Sequence, residues 1–502
     1  MNWLVVLPVI VPFAVTAMTL CLRNHLRLQG RVAISGALVH FVVCMLLLAR
    51  VAKTGIVTVQ IGSWPAPFGI TLAADHFSAI LVAVTGILGL SVTAYSRAEI
   101  RAGMLAAGYQ PLLHILIGGV CGAFLTGDLF NLYVWFEVML MASFGLLVMG
   151  GEKQQLDGGV KYVMINLFAT LLFISGIGLL YGMTGTLNMA DLHSAVQQVE
   201  HKGLLTAVAA LFMTAFGIKA GIFPLFFWLP ASYHTPPVAV STIMAGLLTK
   251  VGVYALIRMF TLVFIFDIAY THGILLAAGV LTMIVGVLGT AAFYEFRRIL
   301  SFHIISQVGY MVLGLALFTP LALTGAVFFL AHNMIVKANL FLISGVCRQK
   351  AGSFELGRLG GLYKNHGFIT ILFFISAFSL AGFPPLSGFW AKFLVIRAGL
   401  EAEAYVAAAA AIVVGLLTTY SMTKIWAEAF WKPAPEGEPE TGIDAQERGR
   451  GDFWLYAPIV VLVMLTLAMG LLPGPFVDLA GSAAHELMNP GIYVDAVLGG
   501  GR

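Results

Sequence analysis

What this 502-residue sequence lacks first of all is charge. Asp, Glu, Lys and Arg make up 10% of it, hydrophobic residues make up 60%, and the mean hydropathy is +0.95. Soluble domains carry roughly a quarter charged residues, so this composition excludes a soluble globular chain and indicates a polytopic membrane protein. Cysteine is also scarce. Cys21, Cys44, Cys121 and Cys347 lie scattered in or at the ends of apolar spans, with no CxxC and no Cys/His cluster along the chain. That spacing leads us to expect neither a disulfide framework nor a metal site. Alternating strands are missing as well, since the apolar runs are continuous, so strands are not expected. Polar stretches are nearly absent. The one long example, "KPAPEGEPETGIDAQERGRGD" from Lys432 to Asp452, reads as a flexible loop. No soluble catalytic domain has room, and no nucleotide-binding loop, haem motif or iron–sulfur ligand set occurs. We therefore expect no enzyme, no catalytic residues, no cofactor and no nucleic-acid partner.

What the chain does have is long apolar runs. A spanning helix needs about 20 mainly apolar residues. Fourteen candidates begin near Trp3, Val32, Ile70, Pro111, Leu129, Gly159, Leu204, Pro236, Gly273, Ile299, Leu321, Phe368, Ala402 and Phe453. The Met1 end has neither a charged n-region nor a small-residue cleavage site, so it reads as a first helix rather than a signal peptide. With the N-terminus outside, cytoplasmic loops hold Arg23, Arg27, Arg31, Arg97, Arg101, Lys153, Lys161, Arg297, Arg298, Arg348, Lys350, Arg358, Lys364, Lys432, Arg448 and Arg450. Outer loops and ends hold Arg50, Lys53, Lys202, Arg258, Arg397 and Arg502. Sixteen against six is a clear positive-inside bias, and it predicts both termini on the outer side.

Three short echoes recur in consistent order. "NLFATLLFISG" from Asn166 resembles "NLFLISG" from Asn339, "AGIFP" at Ala220 resembles "AGFPP" at Ala381, and "LLTKVGVYA" around Lys250 resembles "SMTKIWAEA" around Lys424. The spacing is five spans each time, and an odd number inverts the copy. The expected fold is thus all-α, with about fourteen transmembrane helices and two inverted five-helix repeats, each containing a broken helix. The expected divisions are residues 1–110 for the first three helices, 111–265 and 271–431 for the repeats, 432–452 for the cytoplasmic loop, and 453–502 for the last helix and tail.

A few charges sit far from any loop. Lys219, Lys250, Lys337 and Lys392 lie within spans, as does Glu137 in "GDLFNLYVWFEVMLMAS". Each costs about 2.5–3.5 kcal/mol at the bilayer centre on insertion scales, so each must pair, face water or shed its charge. Snorkelling suits Lys424 and Lys161 but not the first three lysines, which are roughly eight or more residues from either end of their spans. Glu137 is the natural partner for Lys219, although a carboxylate that merely neutralises a lysine is the blander reading. In "KAGIFPLFFWLP", from Lys219, Pro224 lacks an N–H and leaves the carbonyl of Ala220 without its helical partner, while Gly221 loosens the same turn. In "AGFPPLSGFWAK" the same break recurs at Gly382, Pro384 and Pro385, which frees the carbonyls of Leu380 and Ala381 ahead of Lys392. His332, Asn333, Ser306, Gln307, His234, Thr249 and Ser387 are candidate links, although residues of these types are singly more often helix-packing hydrogen bonders than relays. Of these His332 stands out, although it lies about 140° round the helix from Lys337. Asp75, Asp128 and Glu428 sit near helix ends, where solvated or capping roles are expected.

"GDLFNLYVWFEVMLMAS", "KAGIFPLFFWLPASYHTPPVAVSTIMAGLLTKVGVYALIR", "RILSFHIISQVGYM", "HNMIVKANLF" and "GFPPLSGFWAKF" resemble the proton-translocating antiporter-like family. That family comprises the large membrane subunits of respiratory complex I, membrane-bound hydrogenases and Mrp multisubunit sodium/proton antiporters. The match spans about helices four to thirteen. Within it the chain looks most like the D-type subunits of Mrp antiporters, with only about 28 residues after helix fourteen. The resemblance implies a mid-membrane proton path in which Glu137 and Lys219 form the ion pair of a first half-channel and Lys250 is its connecting lysine. It further implies Lys337 as central relay and Lys392 as the terminal lysine of the second half-channel. Lys424, Ser306 and His234 are weaker candidates. It also implies partner subunits of the A, B, C, E, F and G types, sodium efflux driven by proton entry, and a bacterial cytoplasmic membrane. The alternative is a proton-pumping subunit of complex I or of a membrane-bound hydrogenase. The resemblance implies a glutamate in place of Lys392 for an M-type complex I subunit, but N-type subunits also use lysine there, so that position does not separate the two.

Overall fold

This computed structural model describes residues 3–434 and 445–499. The middle of the expected polar loop, 435–444, lies outside the described residues. In chain order the main helices are α1 (Trp3–Cys21), α2 (Leu26–Thr54), α3 (His76–Glu99), α4 (Tyr109–Leu125), α5 (Leu129–Val148), α6 (Lys153–Thr184), α7 (Lys202–Ala220), α8 (Val238–Leu262) and α9 (Ile268–Ala292). They continue as α10 (Phe296–Leu317), α11 (Pro320–Ala351), α12 (Gly367–Ala381), α13 (Ser387–Glu401), α14 (Tyr405–Trp431), α15 (Asp452–Leu471), α16 (Pro473–Met488) and α17 (Pro490–Leu498). Twelve are long and apolar enough to span a bilayer. With the shorter apolar α4 and α12 they account for all fourteen expected spans, and the chain is a multi-pass membrane protein.

One expectation fails at the third span. A two-stranded antiparallel hairpin, β1 (Val57–Gln60) and β2 (Thr71–Ala74), precedes it, so the run from Ile70 starts as strand. Asp75 explains the boundary. Its carboxylate accepts from the Ser78 amide at 2.8 Å, and the Ser78 hydroxyl accepts from the Asp75 amide at 3.0 Å, a capping box that starts α3 at His76.

Among the described residues, the first helix and the last one both meet the hairpin. Helix α17 is tied to β1 by Thr58 Oγ1 donating to the Ala496 carbonyl and Gln60 Nε2 to that of Val497. The opposite face is basic: Arg97 lies over Trp454, Arg297 and Arg348 flank the Phe354 ring, and Lys350 pairs with Asp452. Arg258, expected in an outer loop, is instead buried in α8, where its Nη2 lies 2.6 Å from Asp75 Oδ2. At the other end of the same two helices, Glu99 of α3 accepts from the Val238 and Ala239 amides at 2.5 and 2.7 Å and caps α8. Antiparallel α3 and α8 are therefore bolted together at both ends. The most apolar stretches of α8 and α11 are wholly buried and that of α10 nearly so, whereas α1, α2, α6 and α9 keep an apolar face turned outward. The protein's centre is α8, α10 and α11.

The two breaks are built alike and inverted. Helix α7 enters from the hairpin face, following a loop in which Asn188 bonds Thr71, and α12 enters from the basic face, beside Lys432. At the first, Gly221 has φ +78° and donates to the Ile218 carbonyl, while Ile222 donates to that of Gly217. At the second, Gly382 has φ +98° and donates to Ser379, while Phe383 donates to Phe378. Each is a Schellman cap. Left-handed glycine, not proline, thus ends each helix; Pro224, Pro384 and Pro385 lie in the turns that follow and keep the helix from resuming at once.

Candidate functional site

The breaks give the buried charges their partners. On α5, Glu137 is half-buried, with its Oε1 accepting from the hydroxyl of Thr170 on α6 at 2.7 Å. The same hydroxyl accepts from Lys219 Nζ at 3.3 Å. Glu137 and Lys219 are therefore joined through a hydroxyl, in the order ammonium, hydroxyl, carboxylate, rather than in the direct contact their types suggested. Lys219 also lies over the Phe136 ring, 4.7 Å from its centre, and borders a cavity of about 20 Å³ lined by Tyr162, Asn166 and Trp228. That is room for about one water beside the ammonium. The break itself is held by Trp228, whose indole N–H donates to the Ile218 carbonyl at 3.0 Å.

Helix α8 packs directly on this break. A Cβ on Gly252 would lie 2.6 Å from the Ala220 nitrogen, so only glycine allows the approach. Two residues earlier, Lys250 is fully buried, and its ammonium folds back to the Ala245 carbonyl at 2.5 Å. Ala245 lies in a π-helical turn, Met244–Leu248, where the widened ladder leaves a carbonyl for a side chain to take. Lys337, on α11, is equally buried and donates to the Leu300 carbonyl of α10 at 3.4 Å. It lies within electrostatic reach of both Lys250 and Lys392.

At the second break the ammonium of Lys392 donates to the Ala381 carbonyl at 2.8 Å, one of the two groups that the sequence marks as freed. His332 of α11 meets Ser387 at 2.9 Å through Nδ1, and Ser387 meets Ser379 at 3.1 Å. His332 is thus engaged with the break rather than with Lys337 on its own helix. Lys392 forms the floor of a cavity of about 340 Å³ that opens on the protein's flank between the break, α13 and α14.

Between these charges lie polar side-chain atoms with no hydrogen-bond partner in the protein: Thr249 Oγ1, Ser306 Oγ, and both amide atoms of Gln307 and of Asn333. Buried polar groups almost always have partners, protein or water, so water is the expected partner of these atoms. All four residues are among the links named from the sequence.

Residues 126–418 match a family model described as NADH:quinone oxidoreductase/Mrp antiporter, transmembrane. Over 498 residues the chain is 44% identical to the D-type subunit of the Na(+)/H(+) antiporter of Alkalihalophilus pseudofirmus, with 99% of this chain and 100% of that one covered. The chain belongs to this antiporter-like family. The corresponding D-type Na(+)/H(+) antiporter subunit of Bacillus subtilis is 40% identical over 501 residues, covering 99% and 100% of the two chains. A chain of the Mrp complex from Dietzia sp. superposes with a TM-score of 0.91 at 34% identity, covering 99% and 100%. A chain of respiratory complex I from Thermus thermophilus has the same fold, with a TM-score of 0.82 at 24% identity over 96% and 99% of the chains.

Within this antiporter-like protein, two of the weaker sequence candidates have other neighbours. Lys424 Nζ donates to the carbonyls of Thr290, Ala291 and Phe293 at 3.0, 3.2 and 2.9 Å, and so caps the C-terminal end of α9. His234 lies in the turn before α8, within electrostatic reach of Arg297 and Arg298 on the basic face. Asp75 and Asp128 cap α3 and α5, and Glu428 pairs with Lys432, as residues near helix ends should. Two residues beside these charges were not singled out from the sequence. Thr170 lies within the echo "NLFATLLFISG", where a lone hydroxyl among apolar residues was the available signal. His303, in "RILSFHIISQVGYM", is fully buried, bonds Ser421 through Nε2, and lies within reach of Lys337, Lys392 and Lys424.

Proposed function

We propose that this chain is the D-type, proton-carrying subunit of a multisubunit Mrp-type Na+/H+ antiporter, acting with other Mrp subunits in the bacterial cytoplasmic membrane. One observation carries the reading: two inverted helix breaks of the same construction each hold a buried lysine, and two further buried lysines, Lys250 and Lys337, lie on the central helices α8 and α11. The full-length D-type relatives and the Mrp complex fold support the sodium/proton assignment. Protons would pass between Glu137 and Lys219 through Thr170, then by Lys250, Lys337 and the His332–Ser387 pair to Lys392. The basic face would be cytoplasmic, with both termini outside. A polar pocket of about 360 Å³ opens on that face at Glu99, Arg297 and Arg348, and the unbonded Thr242 and Thr249 follow one side of α8 from there toward Lys250. This is the proposed mouth of the first half-channel. The repeats at 111–265 and 271–431 would be the two half-channels. An elementary charge crossing the membrane gains about 2.3 kcal/mol per 100 mV, which can drive sodium out where the fluxes are coupled.

The test is antiport in vesicles from cells lacking their own antiporters, with the chain expressed alone and with its partner subunits. We expect activity only with the partners, lost in Glu137→Ala and Lys219→Ala while the subunit still assembles. Unchanged antiport in either variant overturns the channel role. Sodium/proton exchange by the chain alone overturns the multisubunit reading.

A further inference from the structure

The contact between α2 and α4 holds a group of side chains that the proton path does not use. His40 and Cys44 share a face of α2, and Cys121 meets them from α4. Their ligand atoms all lie within 4.8 Å of one another, and all three residues are buried. Both sulfurs converge on one ring atom: His40 Nε2 is 3.4 Å from Cys44 Sγ and 3.5 Å from Cys121 Sγ. A tetrahedral zinc, with Zn–S of about 2.3 Å and Zn–N of about 2.0–2.1 Å, has S···N edges of about 3.5 Å. Both S···N distances thus match the edges of such a site.

The surroundings add two facts. The Pro8 carbonyl of α1 lies 3.1 Å from the same Nε2. It is available because Pro12, four residues on, has no N–H to offer it. Helix α3 seals the group, since a Cβ on Gly86 would come within 3.2 Å of Cys44 Sγ. Charge then selects the cation. At this depth a net charge is costly, and thiol ligands bind as thiolates. Two thiolates and a neutral imidazole cancel a divalent ion, whereas a monovalent ion leaves the site negative.

We propose that His40, Cys44 and Cys121 bind one divalent soft cation of the zinc class, with the Pro8 carbonyl beside the fourth position, and so tie α1, α2 and α4 together. Binding releases two protons, one from each thiol, and moves the imidazole proton to Nδ1. The sequence hides this site, because its ligands stand on separate helices with no motif spacing.

The test uses the assembled complex purified under reducing conditions. Elemental analysis should find one more zinc per complex in the unmutated protein than in a Cys44→Ser/Cys121→Ser variant. Since that variant can fail to assemble, a second measurement needs no mutation. Cys44 and Cys121 should resist alkylation in mild denaturant until a strong chelator is added, with Cys21 and Cys347 as internal references read by mass spectrometry. Equal zinc in the variant, equal labelling with and without chelator, or a Cys44–Cys121 disulfide in the purified protein would each overturn the proposal.

Discussion

Because Lys219 reaches Glu137 through the Thr170 hydroxyl, the two charges are held one oxygen apart, with a donor and an acceptor already aligned between them. A directly bonded buried pair would hold its proton tightly. A hydroxyl-bridged one lets the ammonium be tuned by small movements of the carboxylate. Thr170→Ala removes both bonds at once. A hydrogen bond to a charged group is worth about 1.5–3 kcal/mol, so antiport in vesicles should fall about 10–100-fold with assembly intact, and Thr170→Ser should restore most of it. Normal antiport in Thr170→Ala would rule the bridge out. The lysines give a second contrast. Lys424→Met should lose the cap of α9, lowering the melting temperature of the complex by an amount equivalent to about 1 kcal/mol while transport per assembled complex is kept. Lys250→Met should do the reverse, abolishing transport and leaving the melt nearly unchanged. That contrast is partly legible in the sequence, where Lys424 lies nearer a helix end and Lys250 does not. Thr170 was not, because a single hydroxyl in an apolar helix looks like any packing contact until the facing helices are known.

Each break depends on a glycine that ends one helix and on close packing that locks the next element against it. Gly382 sits at φ +98°, with its would-be Cβ 2.9 Å from Lys392 Cδ. A left-handed non-glycine residue costs roughly 1–2 kcal/mol, and the Lys392 stem would also have to move. Gly388 is more constrained still, since a Cβ there would overlap the Ser379 carbonyl oxygen and lie 3.1 Å from His332 Nε2. We expect Gly382→Ala to lower the melting temperature modestly and transport substantially, and Gly388→Ala to prevent assembly. A Gly388→Ala protein that assembles and melts like the parent would contradict the packing described. The position of the breaks was legible because glycine and proline together inside an apolar run have few other readings. Their construction was not. Proline is the louder signal in a sequence, but the helix has already ended at glycine before the proline is reached. The strands were illegible for a related reason: Thr71–Ala74 is apolar enough to continue a span, and only the Asp75–Ser78 capping box says that it does not.

At the scale of the whole molecule, a proton path needs some parts fixed so that others can move against them. In the proposed path helix α8 would be the fixed part. Glu99 holds its start and Asp75 its end, both from α3, and Lys250 lies between these two bolts. Neither bolt was visible in the sequence, where Asp75 read as a solvated or capping residue and Arg258 as a loop cation. Each sits near the end of a span, and only the antiparallel pairing of α3 with α8 brings them together. The Asp75–Arg258 pair is buried on both sides, stacked among Phe77, Tyr254 and Tyr493, and lies on the hairpin face away from the path. Breaking a buried pair by removing one partner costs about 3–5 kcal/mol, because the other charge is left uncompensated. Asp75→Asn and Arg258→Met should therefore each sharply reduce the amount of assembled complex. The double variant, which leaves no lone charge, should recover part of that loss and show strong coupling in a double-mutant cycle. If the pair only anchors α8, whatever complex does assemble should exchange sodium for protons at the parental rate. Full assembly with poor exchange in Asp75→Asn would instead move this pair from the frame of the machine into its path.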